Sequence, residues 1–314
     1  MWRYLAQRLL FSLVTLFLIV SFVFVIVRVI PGDPAQTMLG DQAGQEALDA
    51  LRGKLGLDQP IVLQYIVFLG EVARGQWGVS MVSGRSVLVE LMAVLPSTLE
   101  LTLASLIIGT VIGVPLGVVA ANRRNRFTDY CVRIGSLAGI SFPAFVSGLF
   151  LLLLFAIYFP LFPVINAGGE TLAERLHQLV LPAVNLGLIV AAYLTRVMRS
   201  AMLEVIQEDY VRTARAKGVP ENVVIWAHCL RNALMPVVTF IGLYMGILIG
   251  SAVLTEIVFS RPGLGKLIVA ALNQRDYTTL QGLVLTYTFI LIGINIVTDL
   301  IYGLIDPRIR HGKA

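Results

Sequence analysis

The residues best suited to covalent or metal chemistry are few and scattered. His177, His228 and His311 match no ligand spacing, and Cys131 and Cys229 read as reduced, structural thiols. The nearest approach to a phosphate loop is the stretch from Arg261 to Leu267, RPGLGKL. A P-loop needs G-x-x-x-x-G-K-[ST], so that amides surround phosphate and a hydroxyl reaches magnesium. Here Ser260 stands where the first glycine belongs and Leu267 follows Lys266. No G-x-S-x-G or H-E-x-x-H occurs, so neither a hydrolase nor a metalloprotease has visible chemistry. No catalytic residue, metal or cofactor is expected in this chain. The spacing that stands out belongs to a polar interval, 198–236. There Tyr210, Ala214 and Lys217 fall at i, i+4 and i+7, placing a small alanine between an aromatic and a cation on one helical face. Gly218 sits where a left-handed residue closes a helix, and Pro220 where the next one opens. The pattern predicts a helix over 202–217, a sharp corner, and a second short helix over 220–231. Such an elbow does its work by contact.

The elements that must hold this elbow are apolar. Hydrophobic residues make up 57% of the 314-residue chain and charged residues 14%, with a mean hydropathy of +0.83. A soluble globule carries about a quarter charged residues, so this is a polytopic membrane protein. The net charge of +5 comes from basic residues dispersed beside apolar runs, where membrane orientation accounts for them, and no nucleic-acid surface is indicated. The first run, Leu9 to Val27, lacks a small-residue cleavage site and is followed by Arg28, Ile30 and PGDP, so it reads as a retained span. Further runs at 97–121, 134–159, 179–198, 233–256 and 280–303 are each long enough to cross a bilayer. Six spans put both termini on one side. The faces made of 1–8, 122–133, 196–231 and 304–314 hold 15 Lys/Arg in 67 positions, against 9 in 111 for the opposite faces. The positive-inside rule makes the first set cytoplasmic, including the elbow.

Between spans one and two, 31–96 forms an extramembrane segment with four basic and seven acidic residues. Ala47, Leu48, Leu51 and Leu55 recur at helical spacing before Gly56, Pro60 opens a second apolar-faced helix through about Arg74, and a third runs from Ser86 to Leu95. The expected organisation is a first span within 1–30, a helical insertion over 31–96, and a five-helix core over 97–314. The spans lack paired charges at mid-membrane, since Glu100, Glu256 and Asp299 lie near span ends. A charge at a helix centre costs about 2.5–3.5 kcal/mol on insertion scales and marks ion-coupled transport. A proton- or sodium-driven transporter is therefore disfavoured. Glycine repeats every four residues at Gly109, Gly113 and Gly117 in span two and at Gly242, Gly246 and Gly250 in span five. Such faces allow close helix approach, through packing or along a pathway.

The same residues carry a resemblance. YVRTARAKG (210–218), nine residues, then HCLRNALMP (228–236) resembles the cytoplasmic EAA loop of ABC-importer permeases, in the form of the dipeptide and oligopeptide family. Thr213 stands where the founding pattern has glutamate and Arg215 where it has the second alanine, substitutions usual in the peptide branch. PGDP, GLDQP, GQWGVSMVSGRSV, SFPAF, the FxxPGLG segment at 259–265 and the closing IDPRIR extend the resemblance along essentially the whole chain. It implies a first-subunit (B-type) permease with the type I importer fold, in a bacterial inner membrane. It also implies a homologous second permease, two ATPase subunits that bind the ATP and magnesium, and a periplasmic or lipid-anchored binding protein. Tyr210, Thr213, Ala214, Arg215, Lys217, Gly218, Val219, Pro220, Glu221 and Asn222 are then expected to couple to the ATPase, with Arg231, Asn232 and Pro236 anchoring the loop to span five. Glutathione, nickel and opine-type permeases share these motifs, so cargo within the family stays open.

Overall fold

The fold is built from long apolar runs broken by proline and glycine. A computed structural model describes residues 2–29, 34–39, 44–54, 56–164 and 171–305. Its helices, in order, are α1 (Trp2–Val29), α2 (Pro34–Leu39), α3 (Gln45–Lys54), α4 (Ile61–Ala73), α5 (Val87–Asn122), α6 (Phe127–Ser141), α7 (Ala144–Leu152), α8 (Leu172–Val205), α9 (Asp209–Ala216), α10 (Glu221–Val223), α11 (Leu230–Val258), α12 (Leu264–Gln274) and α13 (Tyr277–Ile305). Two π-helical turns, Leu153–Tyr158 and Val224–Cys229, continue α7 and α10 directly. Among the described residues there is no strand, only an isolated antiparallel bridge between Val79 and Ser86.

Among the described residues, four helical stretches are long and apolar enough to cross a membrane, and a fifth is if α6 and the α7 stretch, bent by 98°, count as one span. The sixth expected span is α1, whose described apolar stretch is Leu10–Ile26. Expected span three thus departs from a straight helix. Phe142 is extended and Pro143 caps α7, because the residue before a proline is pushed out of the helical region. The expected third helix of the insertion is no separate element either. It is the start of α5, which continues through Pro96. The IDPRIR motif after Ile305 and the Asp299 side chain lie outside the described residues.

The chain forms two compact units, Met1–Pro96 with Lys266–Gly293, and Ser97–Gly265 with Ile294–Ala314. In the first, α4 packs on α1, and the turn at 78–87 is pinned by Asp276. The buried Asp276 carboxylate accepts hydrogen bonds from Ser80 Oγ (2.5 Å), the Met81 amide (3.2 Å), the Thr279 amide (3.1 Å) and Thr279 Oγ1 (2.8 Å). The second unit is built around α8, which packs against α6, α7 and α11. A capping box starts α8: Thr171 Oγ1 accepts from the Glu174 amide, and Glu174 accepts from the Thr171 amide. The core gathers Leu186, Val190, Leu194, Met198 and Met202 of α8 with Leu101, Val118, Ala233 and Leu248.

Two buried acids lock this unit. Asp129 takes a bidentate pair from Arg199 of α8, at 2.7 and 2.8 Å, and a third bond from the Asn125 amide at 3.0 Å. Glu256, fully buried near the end of α11, accepts from Thr98 Oγ1 (2.6 Å) and the Gly265 amide (2.7 Å). A Cβ on Gly263 or Gly265 would strike that carboxylate, so the PGLG turn is glycine-rich because it closes around an acid. A buried carboxylate without such donors would cost several kcal/mol.

Candidate functional site

The polar interval folds into an elbow, with differences from the sequence expectation. Helix α8 runs on to Val205, breaks over 206–208, and α9 restarts at Asp209, so 202–217 is two helices. Helix α9 then ends in a complete Schellman motif. The Gly218 amide donates to Arg215 O (2.9 Å) and the Val219 amide to Ala214 O (3.2 Å), which satisfies carbonyls that a helix end leaves bare. Gly218 takes the left-handed conformation this requires, with φ +78°. Pro220, at the next N-cap, opens α10. From Glu221 onward the chain is continuous helix through the π-turn into α11, where a separate short helix was expected. In the π-turn the backbone bonds lengthen to i→i−5, as from the Leu230 amide to Ile225 O.

Polar contacts close the elbow across its corner. Arg215 donates from Nε and Nη2 to the two Glu221 oxygens, at 3.1 and 2.7 Å, bridging the helices on either side of Gly218. These hydrogen bonds hold the Arg215 guanidinium above its ordinary pKa, so the cation is permanent. Asn232 Nδ2 donates to Tyr210 Oη at 2.7 Å, tying α9 to the start of α11. Thr213 Oγ1 bonds back to Asp209 O at 2.9 Å within its own helix.

Burial separates the elbow into a back and a front. Val211, Val224, Ile225 and Cys229 are buried in the core shared with α8 and α11, with Ala214 and Val219 packed beside them. Thr213, Arg215, Lys217, Gly218, Pro220, Glu221 and Asn222 are exposed. So are Val223 and Trp226, at 44% and 46%, one helical turn apart. Sequence reading missed these two. A large apolar pair on a polar connector was the available signal. Tyr210 on α9 is exposed as well, as are Arg231, Asn232 and Pro236 in the first turns of α11.

The two glycine series differ. On α5, Gly113 faces the α8 backbone so closely that a Cβ would lie 2.7 Å from Ala191 O and 2.9 Å from Leu194 Cβ, and Gly117 meets Thr195 O at 2.8 Å in the same way. Gly109 packs equally tightly on Val190. On α11, Gly242 packs on Thr298, Gly246 is half-buried, and Gly250 is exposed with open space where a Cβ would stand.

Helices α6, α7, α8 and α11 line a half-open cavity of about 390 Å³, whose wall includes Phe142, Tyr193, Phe240, Tyr244 and Ser251. The rings of Tyr193, Phe240 and Tyr244 lie 5.2–6.0 Å apart between centroids. Tyr193 also lines a second cavity of about 620 Å³ bordered by Arg133, Arg196 and Arg199. Tyr193 thus stands between an aromatic chamber and a basic vestibule. Among the described residues no group of three or more His, Cys, Asp or Glu could hold a metal.

Comparison with known proteins identifies this architecture. Residues 113–311 match the model described as "Binding-protein-dependent transport system inner membrane component", and residues 1–102 match its N-terminal counterpart. The chain is 39% identical over 311 residues to the glutathione transport system permease protein GsiC of Shigella flexneri, covering 99% of this chain and all of the relative. It is 39% identical over 337 residues to the di/tripeptide transport system permease protein DppB of Pseudomonas aeruginosa, covering both chains fully. A chain of the MetNI methionine ABC transporter, solved in inward facing conformations, has the same fold at a TM-score of 0.56 and 21% identity, covering 69% of this chain and 96% of that one. The chain belongs to the binding-protein-dependent transport system inner membrane component family and is a membrane permease of an ABC importer.

Proposed function

We propose that this permease is the first of two homologous transmembrane subunits that pass short peptides through a bacterial inner membrane, delivered by a binding protein and driven by two separate ATPase subunits. The elbow carries the reading. Its front, made of Lys217, Gly218, Pro220, Glu221, Asn222, Val223 and Trp226, is a solvent-exposed ridge, and its back, with Val224 and Ile225, is part of the α8–α11 core. A partner that grips Lys217, Glu221, Asn222, Val223 and Trp226 would move the core with it. Tyr210, Thr213, Ala214, Arg215, Gly218, Val219 and Pro220 shape that ridge, while Arg231, Asn232 and Pro236 seat it on α11. The charge asymmetry supports a cytoplasmic ridge and cytoplasmic termini, on the side where ATPases work.

The aromatic chamber and its basic vestibule are the cargo-facing wall on this subunit. Tyrosines supply both apolar area and a hydroxyl, which suits a cargo with varied side chains and one repeating backbone. Peptides, including glutathione, are the cargo that two relatives' names specify. Nickel or opine-type cargo is the alternative within the family.

The test is a cysteine at Asn222 in the assembled, reconstituted transporter, with a short crosslinker. Crosslinking to an ATPase subunit and vanadate-sensitive, ATP-dependent uptake are expected, and Trp226→Ala should lower uptake without loss of insertion. ATP-independent uptake driven by an ion gradient would replace this reading with a secondary transporter.

A further inference from the structure

Helix α4 lies in the segment that composition alone assigns to the outer aqueous face, yet it packs on α1, the first expected span. Tyr65 Oη and Ser21 Oγ share a hydrogen bond of 2.5 Å, and the Phe24 ring of α1 lies 5.2 Å from Tyr65 and 5.5 Å from Phe68 between centroids. The apolar run of α1 ends at Val27. At a rise of 1.5 Å per residue, Ser21 is about 9 Å and Phe24 about 4.5 Å inside that end. Beyond α4, the Trp77 ring stacks on Phe289 of α13 with 5.8 Å between centroids and 7° between planes, while the neighbouring Gly78 meets Thr278 at the head of α13, where the chain re-emerges. The stretch from Tyr65 to Phe68 is therefore held against the flank of α1, below the end from which the connecting segment emerges.

The rest of α4 is free and apolar. Val62, Leu63, Ile66 and Val67 are 66%, 45%, 59% and 47% exposed, no residue of the helix is buried, and its sole charge is Glu71, near the C-terminal end. Thirteen residues are too short to span a bilayer, about 20 Å against an apolar core of about 30 Å. A water-facing helix would leave four adjacent aliphatic side chains uncovered, and a soluble partner cannot reach them at that depth.

We infer that α4 is an interfacial membrane helix, its Val62–Leu63–Ile66–Val67 face covered by the acyl chains of the leaflet at the C-terminal end of α1. The Tyr65 hydroxyl, which would be costly to leave bare among hydrocarbon, is satisfied by Ser21. Glu71 and Arg74 mark where the chain returns to the headgroups. The helix braces α1 within the leaflet and is no landing surface for a soluble protein.

Spin labels on Val62→Cys and Ile66→Cys in the assembled transporter in liposomes test this, with Cys131→Ser to remove the exposed thiol and Arg85→Cys as an aqueous reference. Oxygen collisions several-fold above those of a water-soluble nickel chelate are expected at both α4 sites, and the reverse at 85. Chelate access equal to that at 85, or suppression of both collision partners by a protein surface, overturns the inference. In the unmodified chain, a phospholipid with a photoreactive acyl tail should label the peptide containing 61–73. Its absence from that peptide, with α1 labelled, would also overturn it.

Discussion

Replacing Gly218 separates backbone strain from packing. Its φ is +78°, and an added Cβ meets no heavy atom within 4 Å. A side chain there costs its left-handed conformation and nothing else, about 1–2 kcal/mol for an L-residue. Asparagine tolerates that region best, and β-branched residues worst. The interactions that hold the corner are of the same size. Its two backbone hydrogen bonds contribute about 0.5–1.5 kcal/mol each, and the half-exposed Arg215–Glu221 pair about 0.2–1 kcal/mol. Gly218→Val should therefore shift the balance between formed and frayed elbow by about 5–30-fold, since 1–2 kcal/mol corresponds to that factor. The α8 core, which the substitution does not touch, should keep its stability. The assay is uptake and ATP hydrolysis measured in parallel on the reconstituted transporter. Gly218→Val should lose most of its uptake per ATP hydrolysed, Gly218→Ala should lose less, and Gly218→Asn should retain most. Wild-type coupling in the valine variant, or asparagine as damaging as valine, would refute the reasoning.

The contacts of α8 set the stability of the second unit. Asp129→Ala leaves the Arg199 guanidinium without its bidentate partner and should cost about 3–5 kcal/mol, seen as a fall in thermal midpoint in detergent that the double variant Asp129→Leu/Arg199→Met largely restores. Gly113→Val drives a side chain onto Ala191 O and Leu194 and should cost about 1–3 kcal/mol or prevent assembly. Gly250→Ala enters open space and should leave the midpoint unchanged.

The features legible in the sequence were those a residue type enforces locally. A Schellman corner needs a left-handed residue and a helix start welcomes proline, so Gly218 and Pro220 announced the elbow. Phe142–Pro143 lay inside a run read as one span over 134–159, and nothing in a proline sets the 98° bend found there. The break at 206–208 was hidden among residues that all favour helix, and the π-turn at Val224–Cys229 has no residue requirement to read. Asp129 and Arg199 pair across 70 positions, a distance at which charge counting sees two charges and no bond. The two glycine series look alike in sequence. Only the facing backbone shows that Gly113 and Gly117 are packed shut while Gly250 stands open.

The continuity of helix from Glu221 through Val258 bears most on mechanism. If the elbow were hinged to span five by a flexible loop, force on the ridge would be lost in bending. Instead, Asn222 and Tyr244 lie on one rod, separated by 22 residues, about 33 Å along its axis. A tilt imposed at the ridge therefore reaches the wall of the aromatic chamber as a displacement of Tyr244 relative to Tyr193 on α8. The rod has two places where it can yield, the π-turn at 224–229 and Pro236, where the backbone ladder loses a donor. The first begins within the ridge, at Val224 to Trp226, and the second lies between ridge and chamber; the core packing of Val224, Ile225 and Cys229 resists bending at the first. On the proposed coupling, the stiffness of that short stretch decides how much of a partner's stroke would arrive at the chamber.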